Sequence, residues 1–210
     1  MASKKVESPD ATALGEVISS TITGFIAECW QNEDDDGLPT VTRPGFGTFL
    51  KAETENNLSI LAVVYNVITG PQDNNHRAAP LRMSREQLKL EQPHIFALLR
   101  TEIHAVTVGF CTGGKTYQHL PPQPPQVHDF VHTASDEEIA ELTESMEFLR
   151  LIAAVSAVPS DELLSATVRN AYDARGADYP FLVRAGQALS HLYRDDYDRL
   201  VSVLRKLKPQ

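Results

Sequence analysis

The sequence predicts an α+β chain, with a small antiparallel β-barrel of about six strands in the N-terminal part and a bundle of about four helices after it. Three observations lead there. From Leu14 to His119 short β-branched or aromatic runs alternate with Gly, Pro, Asn and Asp clusters. At Pro121-Pro122-Gln123-Pro124-Pro125-Gln126 the chain cannot be helix interior or central strand, because each proline fixes φ and removes a donor. Beyond it the apolar period changes from two residues to about 3.6. The implied division is a flexible tail over 1–12, a barrel over 13–120, a Pro-rich connector over 121–134 and a helical unit over 135–207.

Leu14–Ser20 and Thr23–Trp30 read as the first two strands, and Gln31–Pro44, with its acidic run Glu33-Asp34-Asp35-Asp36-Gly37, as a solvated loop. The carboxylates there lack the spacing of a calcium loop. Thr48–Glu53 and Leu58–Thr69 form a hairpin around Glu55-Asn56-Asn57. Both alternating sets of the second strand are apolar, Leu58, Ile60, Ala62 and Val64 against Leu61, Val63, Tyr65 and Val67, so it should be buried on both faces. Ser84 and Gln87 are spaced to start a short helix that ends before Pro93. Thr101–Phe110 and Lys115–Leu120 are the remaining strands, joined at Gly113-Gly114.

In the helical unit, Ser135 and Glu138 form a capping box ahead of one long helix striped by Ile139, Leu142, Met146, Leu149 and Ile152. Pro159 restarts the chain into a second helix carrying Leu164, Val168, Ala171 and Tyr172, which Gly176 stops. Pro180 suits the first turn of a third, with Phe181, Leu182, Ala185 and Leu189. Asp195 and Asp196 open a fourth, with Arg205, Lys206 and Lys208 at its end, where cations complement the helix dipole.

Composition narrows the function classes. The 210-residue chain carries a formal net charge of -9, a field that repels phosphate backbones, so nucleic acid is a disfavoured partner. Two cysteines, Cys29 and Cys111, without metal-ligand spacing, fit a reducing, cytoplasmic setting and no disulfide framework. The first ten residues contain no apolar segment, and no membrane insertion is expected.

Gly109-Phe110-Cys111-Thr112-Gly113-Gly114-Lys115-Thr116 satisfies the phosphate-loop pattern G-x-x-x-x-G-K-[ST], which makes Gly109, Gly114, Lys115 and Thr116 the candidate nucleotide-binding residues of an alternative reading. That chemistry needs a helix directly after the loop, whose free N–H groups hold the phosphates. Tyr117-Gln118-His119-Leu120 instead runs into prolines, and a Gly-Gly hairpin turn uses the same residues. Asp73, His76 and Arg77 lie in a loop that could take an anionic ligand. His128, Asp129 and His132 lack a third metal ligand in pattern, and Glu102 with His104 shares a strand face as a polar pair. No catalytic set, metal site or cofactor is expected.

The series Leu14-Gly15-Glu16-Val17-Ile18, Phe46-Gly47-Thr48-Phe49, Ala62-Val63-Val64-Tyr65 through Thr69-Gly70-Pro71, and Gln92-Pro93-His94-Ile95-Phe96-Ala97-Leu98-Leu99-Arg100-Thr101-Glu102 resembles stand-alone HAS-barrel proteins of the cyanobacterial type. The likeness continues through Leu120-Pro121-Pro122, Val168-Arg169-Asn170-Ala171-Tyr172 and Asp195-Asp196-Tyr197-Asp198-Arg199-Leu200. In HerA-type translocases and ATP synthase subunits this barrel precedes the ATPase domain and helps to hold a ring together. The resemblance therefore implies an assembly module without the motor: a non-enzymatic protein-binding or adaptor protein, whose partner is an ATPase complex or further copies of itself. A nucleic-acid-associated barrel is the remaining alternative.

Overall fold

A computed structural model describes residues 12–33, 39–71 and 80–207. The expected tail, the acidic residues 34–36 with Gly37, and the loop holding Asp73, His76 and Arg77 lie outside them, apart from Thr12 at the tail's end. The strands are β1 (Gly15–Thr21), β2 (Gly24–Cys29), β3 (Asn32–Glu33), β4 (Pro39–Thr40), β5 (Phe49–Glu53), β6 (Leu58–Pro71), β7 (Leu99–Thr112), β8 (Lys115–Tyr117) and β9 (Phe130–Thr133). The helices are α1 (Arg85–Glu91), α2 (His94–Ala97), α3 (Asp136–Leu142), α4 (Phe148–Ala153), α5 (Ser160–Ala174), α6 (Tyr179–Leu192) and α7 (Tyr197–Lys206).

The main sheet runs β2-β1-β9-β5-β6-β7-β8, and β2 also pairs with β7 over Gly24↔Val106 to Glu28↔Glu102, which closes an antiparallel barrel. β8 stands outside this ring as the short return arm of the β7 hairpin. The ring's sixth strand is β9, inside the stretch that reads from sequence as connector. Its four residues are too few to show alternation, and the prolines before them mask it. Pro121 and Pro125 are themselves buried against the body of the protein.

The barrel interior is filled by Val17, Phe25, Ala27, Leu50, Ala52, Ile60, Ala62, Val64, Ile103, Ala105, Phe110 and Val131, several of them small, as a narrow barrel requires. The opposite face of the same strands is also apolar. Phe49, Leu61, Val63 and Val108 form one core with Leu142, Phe148, Leu149, Ile152, Leu164 and Phe181 from the helices. β6 is thus buried on both faces over Ile60 to Val64, each at most 3% exposed, whereas Leu58, Tyr65 and Val67 of its apolar sets are only partly buried and Ile68 is exposed. A bulge tunes this fit: Leu61 pairs with Gly109 and Ala62 with Thr107, so Val108 is an extra residue. It turns Val108 onto the helices.

Gly47 shows how closely the layers meet. Its φ is +83°, and a side chain there would place Cβ 2.7 Å from Cβ of Ala166 on α5.

The expected long first helix is two. α3 has the Ser135/Glu138 capping box, then stops at Thr143. The partly buried Arg175 guanidinium donates to the carbonyl of Ala140 at 2.6 Å and to Oγ1 of Thr143 at 3.1 Å, while Oε1 of Gln118 accepts from the Phe148 amide at 3.0 Å. These partners satisfy groups that a continuous helix would have paired internally. The next helices follow the sequence reading: α5 starts after Pro159, Gly176 lies beyond its end at φ +66°, and Pro180 sits in the first turn of α6. The Ser84/Gln87 box of α1 is formed.

α5, α6 and α7 meet at Asp161, which accepts from Tyr193 Oη at 2.7 Å and from Arg199 Nε at 2.8 Å. Burial pushes this carboxyl up, but the hydrogen bonds from Arg199 and Tyr193 and the charges of Arg199 and Lys206 hold it below its ordinary value. A depressed native value stabilises above the unfolded-state value and is lost as pH falls through the native one. The stability gap between wild type and Asp161→Asn in urea unfolding should therefore be full above about pH 4 and close at lower pH.

Phe148 is fully buried, with its ring 6.4 Å from that of Phe49 on β5. Phe148→Ala should lower the unfolding free energy by about 3–5 kcal/mol in urea titration, because the cavity opens in the shared core.

Candidate functional site

The phosphate-loop pattern falls on a β-hairpin. Gly109 lies within β7, Thr112 pairs with Lys115 across the turn, and Gly113 and Gly114 have φ of +56° and +72°. Gly109 meets a packing demand of its own, since a Cβ there would come within 2.4 Å of the Tyr117 carbonyl oxygen and 2.9 Å of Leu142 Cδ1. After Thr116 the next helix in the chain begins at Asp136, so the loop does not run into a helix as a phosphate loop does. Lys115 is exposed, on the turn.

The other sequence candidates are dispersed. His128 sits on an exposed turn with Nδ1 3.0 Å from Glu16 Oε2, whereas His132 lies on β9, buried, with Nδ1 3.3 Å from Thr12 Oγ1. Among the described residues no group of three or more His, Cys, Asp or Glu side chains could hold a metal ion. Glu102 and His104 do share the outer face of β7, 3.7 Å apart, but Glu102 is engaged by Arg100 at 3.1 Å and His104 packs edge-on to Tyr65. Burial, partly offset by the charge of Arg43, pushes the Cys29 thiol up to about 11, so it stays protonated at neutral pH.

A depression of different character lies elsewhere, at the edge of the shared core. It is a groove of about 590 Å³ between the tip of the β1–β2 hairpin, the middle of β7 and the segment joining α4 to α5. Ile26, Tyr65, Val106, Leu120, Leu151 and Val155 give it apolar walls, and Ser19, Ser20, Thr21, Thr23 and Ser156 contribute hydroxyls. None of its lining residues is Asp, Glu, Lys, Arg or His. Asp, Glu, Lys and Arg make up 22% of the chain, so a surface depression of this size would ordinarily hold several of them.

Two local features shape the groove. Thr107 also lines it, is 1% exposed, and has a hydroxyl with no hydrogen-bond partner, an unusual state for a buried polar group. Gly24 lets β2 approach β7 at its base, since a Cβ would meet the Ala105 carbonyl oxygen at 2.4 Å. Sequence reading did not find this site. Its walls come from segments near positions 20, 65, 106, 120 and 155, and hydroxyl and apolar residues carry no motif.

No family model matches the chain, and the search of curated proteins finds none similar to it. Among the described residues no helix is long and apolar enough to cross a membrane. The geometry of the groove and of the hairpin is therefore what bears on function.

For the hairpin the expectation is concrete. Lys115→Ala should leave stability within about 0.5 kcal/mol of wild type and should not change the binding of labelled ATP or GTP at low ionic strength. A tenfold or greater loss of affinity would return Lys115 to a phosphate site.

Proposed function

We propose that this protein is a non-enzymatic binding module that takes an uncharged segment of a partner protein into the groove beside α4, and so serves as an assembly or adaptor component. The observation that carries this reading is the neutrality of the groove in a chain of net charge -9. Phosphates, metal ions and charged metabolites need counter-charges that these walls lack. Apolar walls with a hydroxyl rim suit a protein segment that brings apolar side chains to the walls and main-chain donors and acceptors to the rim. The resemblance to stand-alone HAS-barrel proteins supports a partner drawn from an ATPase assembly.

Ala157 lines the groove and is exposed, so Ala157→Asp places a charge there without disturbing the core. Tagged full-length wild type, incubated with a native cell extract, should recover a stoichiometric protein partner. The Ala157→Asp protein, with an unchanged melting temperature, should recover at least about tenfold less of it. Equal recovery by both, or no partner with wild type, contradicts the proposal.

A further inference from the structure

Building on the groove reading, we propose that the partner's segment is extended and joins the barrel as an added strand along the free edge of β1. β1 pairs with β2 along its whole length, but on its other edge β9 reaches only Gly15 and Glu16. The last backbone bonds on that edge are Val17 N–H to the Asp129 carbonyl and His128 N–H to the Val17 carbonyl, at 2.9 and 2.8 Å. There the neighbouring chain turns away, with His128 at φ +76°, and β1 is bulged between Val17 and Ser19. From Ile18 to Thr21 no backbone partner is present on this edge among the described residues.

An unpaired edge presents a row of N–H and C=O groups that another strand can satisfy. Proteins usually guard such edges with lysine, proline or a covering element. Ile18-Ser19-Ser20-Thr21 contains neither lysine nor proline, and Ile18 is 38% exposed. Ser19, Ser20 and Thr21 also line the neutral groove, so the free edge and the apolar walls belong to one surface. Main-chain bonds along β1 would supply affinity, and alternate side chains reaching the groove would supply selectivity. The chemistry of the occupant follows: a short extended segment with β-branched or small apolar residues at alternate positions and no acidic side chain, since the chain's charge of -9 repels one.

The test uses full-length protein and two pools of fluorescein-labelled, end-capped hexapeptides built from Val, Ile, Thr, Ser and Ala. The pools share sequences, but the second is N-methylated at alternate residues and cannot complete a strand ladder. In fluorescence anisotropy the first pool should bind at least about tenfold more tightly than the second. In hydrogen exchange its binding should slow those amides of residues 18–21 that face the free edge, the others being bonded to β2 already. Equal binding of both pools with those amides unchanged overturns strand addition and leaves the groove reading in place, and binding of neither pool also overturns strand addition. Undiminished binding of the first pool by Ala157→Asp contradicts the groove reading instead. If the protein alone sediments as a dimer with residues 18–21 already protected, the occupant is a second copy and the partner-segment proposal fails.

Discussion

The structure depends on the barrel having two apolar faces. A closed barrel satisfies its backbone and buries its inner side chains unaided, but Phe49, Leu61, Val63 and Val108 point outward. Left in water, that patch would be a liability for stability and solubility. The helices cover it: α3 and α4 lie on β7 and β8, α5 packs behind them, and α6 and α7 complete the cluster through Phe181, Leu189 and Val203. The two parts read from sequence thus share one core. The tightness at Gly47 against Ala166, and at Gly109 against Leu142, is what such a contact demands of the backbone.

The groove follows from where this cover ends. α4 runs only to Ala153, and the chain to Pro159 has no regular structure, so the outer face around Ile26, Tyr65 and Val106 is only partly overlain. Beyond Val17, β1 has no backbone partner on its β9 edge among the described residues. An incomplete helical cover and a partly unpaired strand edge coincide there, and the residues lining the groove are uncharged. The hairpin carrying the phosphate-loop pattern has a structural role, since it brings Gln118 to the amide of Phe148 and helps to seat α4.

Much of the fold was legible in the sequence. β1, β2, β5, β6 and β7 appear at the punctuated β-branched runs, because turns at Thr21–Gly24 and Glu55–Asn57 and the doubly apolar β6 are local signals. β9 was not, because its membership of the barrel rests on pairing with β1 and β5 across about a hundred residues of chain, which four residues beside prolines cannot announce. The break between α3 and α4 was invisible for the same reason: the apolar stripe continues through Met146, but Arg175 and Gln118, distant in sequence, take the polar groups that would have bridged it. The candidate site was the least legible part. Motif reading favours charged and glycine-rich residues, whereas this groove is made of hydroxyl and apolar side chains from five separated segments.

The shared core is tested most directly by following equilibrium unfolding in urea with two probes. Trp30, the single tryptophan, packs edge-on against Phe130 of the barrel, and far-ultraviolet circular dichroism reports mainly the helices. One core fused across both layers gives coincident transitions with a common midpoint and slope. Helices that unfold at lower urea while Trp30 keeps its native fluorescence would contradict it.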